Sequence, residues 1–212
     1  MLTAGLAACL AAGPALADDK LDPGGLTFRD FATNDNGASY SRGDPMIAGG
    51  PNQVSSRVVG VEGANGLARV QFSSLRVEVA LPLGWQATED WERGVAYSSD
   101  KRYRVLVWRV DFAYEGVKDA EHYAATKAGS IQARRPAVHA EARKLGDGTF
   151  LVVYDNVKAQ GDAEARVVFD LVTQNPNDPK QGILLTLGVP ASDAVRGLKL
   201  MALLKQNMRI NW

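Results

Sequence analysis

Cysteine is almost missing from this chain. The one Cys, Cys9, lies in an apolar N-terminal stretch, so the sequence beyond it can form no disulfide, thiolate metal site or cysteine nucleophile. Histidine is nearly as scarce. His122 and His139 have no second His or Cys at ligand spacing, which argues against a zinc centre and points to structural roles for both. No excess of either charge exists, since Lys+Arg and Asp+Glu both number 24. A nucleic-acid-binding surface is therefore not expected, and the pairs Lys101-Arg102 and Arg134-Arg135 are too short to alter that. No apolar run is long enough to cross a bilayer, so no transmembrane span is expected. Phosphate-binding and hydrolase signatures fail too: Gly43 to Gly50 lacks a Gly-Lys-Ser/Thr ending, and Gly-x-Ser-x-Gly does not occur. The carboxylates Glu89, Asp90 and Glu92 read as a solvated acidic turn, because tuning a carboxyl for catalysis needs burial. No catalytic residue, metal ligand or cofactor is assigned, and the chain reads as a non-enzyme.

What is present divides the 212 residues into three parts. Residues 1–17 are apolar and uncharged and end in Ala15-Leu16-Ala17, the A-x-A pattern of a secretory signal peptide. A basic n-region is missing, so the true leader is expected to extend upstream. Two readings compete here. Cleavage after Ala17 gives a periplasmic or secreted protein; Leu6-Ala7-Ala8-Cys9 read as a lipobox gives a lipoprotein anchored through Cys9. The lipobox lacks its upstream apolar region, which favours cleavage. Residues 18–52 are dominated by Gly, Ser, Asn, Asp and Pro and read as a flexible arm, with Leu26, Phe28 and Phe31 as docking points. Residues 53–212 read as one domain, large enough for a substantial core.

Within that domain the apolar periodicity switches between two and 3.6. Strands are expected around Val54–Val61, Leu67–Phe72, Leu75–Leu81, Gly94–Tyr97 and Tyr103–Phe112. Gln86 to Glu92 reads as a polar connection. A helix is expected over Val117–Arg134, capped by Gly116. Its buried stripe is Val117, Ala120, Ala124, Ala128 and Ile131, with Lys118, Glu121 and Lys127 off it. Strands follow over Val138–Leu145 and Thr149–Val157, joined at Asp147-Gly148, a hairpin dipeptide. Two more cover Glu164–Gln174 and Gly182–Val189, separated by Asn175-Pro176-Asn177-Asp178-Pro179. A closing helix, Asp193 to Met208 with Ser192 as its cap, carries a wide apolar face that includes Val195. The fold class is α+β: a mostly antiparallel sheet sandwiched by two helices.

From about residue 73 to residue 212 this order resembles the PsbP-like superfamily, which includes the Mog family and the DcrB-like periplasmic proteins. The resemblance rests on the strand ending in Leu81-Pro82-Leu83-Gly84-Trp85, the short strand Gly94–Tyr97 and the long strand Tyr103–Phe112. The single central helix, the Asp147-Gly148 hairpin and the terminal helix complete it. It implies an α/β/α sandwich and a binding or assembly role rather than catalysis.

Two charged pairs are the candidate binding residues. Arg109 and Asp111 share a face of one strand, and Arg166 and Asp170 share a face of another. If the faces coincide, they form a patch for an anionic group or a partner's charges; the bland alternative is cross-strand ion pairing on a solvated face. Trp91, among charged neighbours, is the candidate surface anchor, whereas Trp85 and Trp212 read as core. These features lead to an exported binding or assembly factor with an envelope protein as partner. The alternative is a small-ligand or lipid carrier with a pocket between sheet and helix.

Overall fold

The computed structural model describes residues 20–33, 53–54, 57–158 and 164–212. The expected leader, Cys9 and most of the 18–52 arm lie outside these. In chain order the elements are β1 (Gln53–Val54), β2 (Arg57–Glu62), β3 (Leu67–Phe72), β4 (Val77–Pro82), β5 (Gln86–Asp90), β6 (Arg93–Tyr97) and β7 (Arg104–Asp111). Then come α1 (Ala120–Arg134), β8 (His139–Lys144), β9 (Phe150–Val157), β10 (Arg166–Asn175), β11 (Asp178–Pro190), α2 (Ala194–Asn207) and β12 (Arg209–Ile210).

The strands form two antiparallel sheets. Eight run in the order β1-β5-β6-β7-β11-β10-β9-β8, and four in the order β12-β4-β3-β2. The fold is therefore α+β, as the periodicity predicts. The small sheet and α2 together cover one face of the large sheet, and α1 covers part of the other. Strand β11 runs through Ile183-Leu184-Leu185-Thr186-Leu187 with hardly a polar break because both of its faces are covered. Ile183, Leu185 and Leu187 join the core under the small sheet and α2, while Leu184 belongs to the core under α1. Gly197 lets α2 press onto the sheet; a Cβ there would stand 2.7 Å from Val189.

Several local expectations differ from the structure for identifiable reasons. The Gln86–Glu92 segment contains β5, because Glu89 points inward and is only 1% exposed. Its carboxylate accepts from the Ser73 and Ser74 backbone N–H groups (2.9 and 2.7 Å) and from the Ser74 hydroxyl (2.6 Å). Glu89 is thus a buried clamp on the β3–β4 turn rather than a solvated acid, and an apolar-polar count cannot register an inward Glu. Helix α1 begins at Ala120, not Val117, since Asp119 supplies the cap by accepting from His122 N–H at 2.8 Å. Gly116 occupies a left-handed turn just before it. Helix α2 begins after a 3-10 turn at Ala191–Asp193, so Ser192 is no cap, and Val195 faces solvent. Of the Asn175 to Pro179 stretch only Pro176 and Asn177 form the hairpin loop, with Asn175 paired to Asp178.

Residues 20–33 dock through a 3-10 turn, Phe28–Phe31, whose two phenylalanines are buried. Trp85 lies beneath them and donates its indole N–H to the Phe31 carbonyl at 3.0 Å. Gly66 holds φ +69° and lies against Arg29, whose Cα would be 2.5 Å from an added Cβ. The docked segment and this turn leave no room for a side chain.

Candidate functional site

Helix α1 packs mainly over β8, β9 and β10. Its contact row is Ala120, Ala124 and Ala128, small residues that bring the helix close to the sheet. The β7–β6 side of the same face is left without a helix. Leu106 and Trp108 lie on this face of β7, alternating with Val105 and Val107, which enter the opposite core. Arginines partly shield the half-buried rings: the Arg93 guanidinium is 5.7 Å from the Trp108 ring centre, and that of Arg104 is 5.6 Å from Tyr97.

Between α1 and this open face runs a cleft of about 870 Å³. The next row of the helix, Tyr123, Lys127 and Ile131 at i, i+4 spacing, forms one wall. Lys127 is therefore not the solvated residue that its position off the alanine stripe suggests. Its Nζ lies 2.8 Å from Asp170 Oδ2, with the two side chains 26% and 3% exposed, and it sits 5.5 Å from the Tyr123 ring centre. Asp170 also accepts a hydrogen bond from the Thr186 hydroxyl, directly across the β10–β11 pair. The Tyr154 hydroxyl is buried in the same wall and makes no hydrogen bond of good geometry among the described residues.

Charge is confined to this cluster by its partners. Burial opposes the Lys127 ammonium, but the Asp170 carboxylate more than offsets that, so the Lys127 pKa is raised. Burial first, and then the negative charge of Asp170, push the Tyr154 phenol well above its ordinary value. Tyr123 is also raised, chiefly by burial.

Two aromatic side chains stand at the rim, each presented by an aspartate-capped turn. Asp90 accepts from the backbone N–H groups of Glu92 and Arg93 (2.9 and 2.8 Å), which holds Trp91 outward at 60% exposure. Asp111 accepts from the N–H groups of Ala113 and Tyr114 (2.9 and 3.1 Å), and Tyr114 is 90% exposed.

The two predicted charged pairs do not come together. Arg109 alternates with Trp108 and reaches away from Asp170, donating to the Leu75 carbonyl at 2.9 Å. Asp111 works as the turn cap just described. Arg166 lies at the far end of β10, past a register shift, and donates to the Arg102 carbonyl at 2.9 Å. Of the five predicted residues, Asp170 lies inside the cleft and Trp91 at its rim, with Arg109 and Asp111 at its β7 end. Sequence reasoning missed Lys127, Tyr154, Tyr123 and Thr186. The signals were an acid set among Phe169, Leu171 and Val172, and a Tyr-Lys-Ile row one step round from the alanine stripe.

No family model matches the chain, and no curated protein matches it. Among solved structures it is similar to the Ran-binding protein Mog1p of Saccharomyces cerevisiae, at 11% identity and a TM-score of 0.48, over 68% of this chain and 95% of that one. It is similar also to the cyanobacterial PsbP (CyanoP) of Synechocystis sp. PCC 6803, at 14% identity and a TM-score of 0.48, over 78% of this chain and 98% of that one. The likeness is one of fold.

Proposed function

We propose that the chain is an exported, non-catalytic binding protein that takes a small ligand in the cleft between α1 and the open half of the large sheet. The cleft itself carries this reading: its size suits a small organic molecule, and its walls combine aromatic surface with a few convergent polar groups. The state of Lys127 favours binding over turnover. An ammonium tied to a buried carboxylate, with its pKa raised, is a poor base or nucleophile near neutrality. Export rests on the Ala15-Leu16-Ala17 pattern.

The test is a screen of soluble metabolites read on the indole N–H signals of 15N-labelled protein. Ligands of the cleft are expected to move Trp91 and Trp108 together and leave Trp85, on the other side of the sheet, in place. Hits that move only Trp85 or Trp212 would remove the cleft from consideration.

The exposure of Trp91 and Tyr114 favours a second reading, in which the rim anchors an envelope protein. Under it, Trp91→Ala weakens capture of one defined partner without lowering Tm.

A further inference from the structure

The charges around the cleft are unequal. Four carboxylates line it (Glu92, Asp111, Glu115 and Asp170) against two cations, Arg109 and Lys127. The cations are engaged, Lys127 with Asp170 and Arg109 with the Leu75 carbonyl. Glu92, Asp111 and Glu115 make no ion pair with any described residue, and all three are exposed beside the rim aromatics Trp91 and Tyr114. Ring faces in this region already attract the chain's own cations, as Arg93 on Trp108 and Lys127 on Tyr123 show. At the inner end the picture changes. The Tyr154 hydroxyl is buried beside Asp170 without a well-formed hydrogen bond, since that carboxylate already takes Lys127 and Thr186, and it is left open to a better partner.

We infer that the cleft selects an arylalkylamine carrying a hydroxyl at the end remote from its nitrogen. The ammonium lies at the rim among Glu92, Glu115 and the faces of Trp91 and Tyr114. The aromatic body covers Leu106 and Trp108, and the hydroxyl meets Tyr154. An anionic ligand is disfavoured, because it would meet three carboxylates that make no ion pair with any described residue against a single such cation, Arg109, which already reaches toward the Leu75 carbonyl.

This inference rests on the cleft being the binding site, and the experiment separates the two. Wild-type protein is titrated with 2-phenylethylamine, its neutral counterpart 2-phenylethanol, the anion 3-phenylpropanoate, and tyramine, which adds the remote hydroxyl. The readout is the Trp91 and Trp108 indole signals, with Trp85 as internal control. Cation–π contact and exposed carboxylates together are expected to favour 2-phenylethylamine over 2-phenylethanol by about tenfold. Tyramine is expected to bind roughly five-fold tighter again, by satisfying the buried hydroxyl. Glu92→Gln combined with Glu115→Gln, two exposed changes that leave the core alone, should erase most of the amine preference. Tyr154→Phe should erase the advantage of tyramine and spare 2-phenylethylamine. Equal or tighter binding of the alcohol or the acid would overturn the charge assignment while leaving the cleft a binding site. Equal binding of tyramine and 2-phenylethylamine by wild type would overturn the role of Tyr154. Failure of all four probes to move Trp91 and Trp108 would overturn the inference altogether, and a metabolite hit in the wider screen would then still sustain the cleft.

Discussion

Asp170 is the side chain whose surroundings differ most from what its chemistry prefers. A carboxylate 2% exposed in the middle of a sheet survives only because Lys127 and Thr186 both reach it. The energetics of such a pair are asymmetric. Removing one member strands the other charge, whereas removing both with apolar replacements of similar volume can be neutral. Asp170→Asn is therefore expected to lower stability by about 3 kcal/mol, the low end of the range for a broken buried pair, since Lys127 keeps some contact with water. The double change Lys127→Met with Asp170→Leu should recover most of that loss. Urea unfolding of the three proteins measures both values. A double variant no more stable than Asp170→Asn would show that the pair stabilises the fold outright. At this scale the sequence was half legible. An acid among Val168, Phe169, Leu171 and Val172 is visible by inspection. Its partner is not, because Lys127 lies off the Ala120-Ala124-Ala128 stripe and a lysine's long stem allows either orientation.

Elements were legible where apolar periodicity decided them and illegible where polar groups did. The hairpin at Asp147-Gly148 and the strands β7, β9 and β10 appear where alternation and turn chemistry place them, whereas β11 starts at Asp178, inside the stretch that its prolines and Asx residues mark as a loop. Strand β5 escaped detection because its inward residue is Glu89, and the start of α1 shifted because a side-chain cap at Asp119 outcompetes glycine. The docked segment 20–33 lies between these cases. Its composition offers little to bury, yet two phenylalanines hold it. Phe31 packs edge-on against Tyr103 (6.2 Å between centres), carries the Arg196 guanidinium over its other side (4.6 Å), and its carbonyl takes the Trp85 indole N–H. Phe31→Ala should cost about 3 kcal/mol, as for a buried phenylalanine removed from a core. Because Trp85 lies directly beneath, its fluorescence is expected to shift toward the red as water gains access. Unchanged stability and an unchanged Trp85 spectrum would mean that the segment rests on the core without supporting it.

For the molecule as a whole, fold class followed from pattern because burying one face of many strands leaves few layer arrangements. The cleft did not follow, since it depends on how far α1 reaches across the sheet, a distance that no local pattern encodes. One whole-molecule property does collect these scattered residues: the response to alkali. Burial, and then the hydrogen bond it donates to Asp193, push the Tyr103 phenol up to about 12. Tyr154, Tyr123 and Lys127 are raised as well. In the unfolded chain, tyrosine and lysine titrate near about 10 to 10.4. Between those values and the raised ones the folded state holds protons that the unfolded state has released, so unfolding becomes more favourable as pH rises. Below about pH 10 both states are protonated at these groups and their contribution is fully present. Stability in urea should then be flat with respect to these residues from neutrality to roughly pH 10, and fall between about 10 and 12. Tyr103→Phe should make that fall shallower, because one of the retained protons is gone, while lowering the neutral-pH plateau through loss of the Asp193 hydrogen bond. A wild-type profile that stays level to pH 12, or a Tyr103→Phe profile with the same slope as wild type, would show that these phenols titrate alike in both states and that the packing around them admits water.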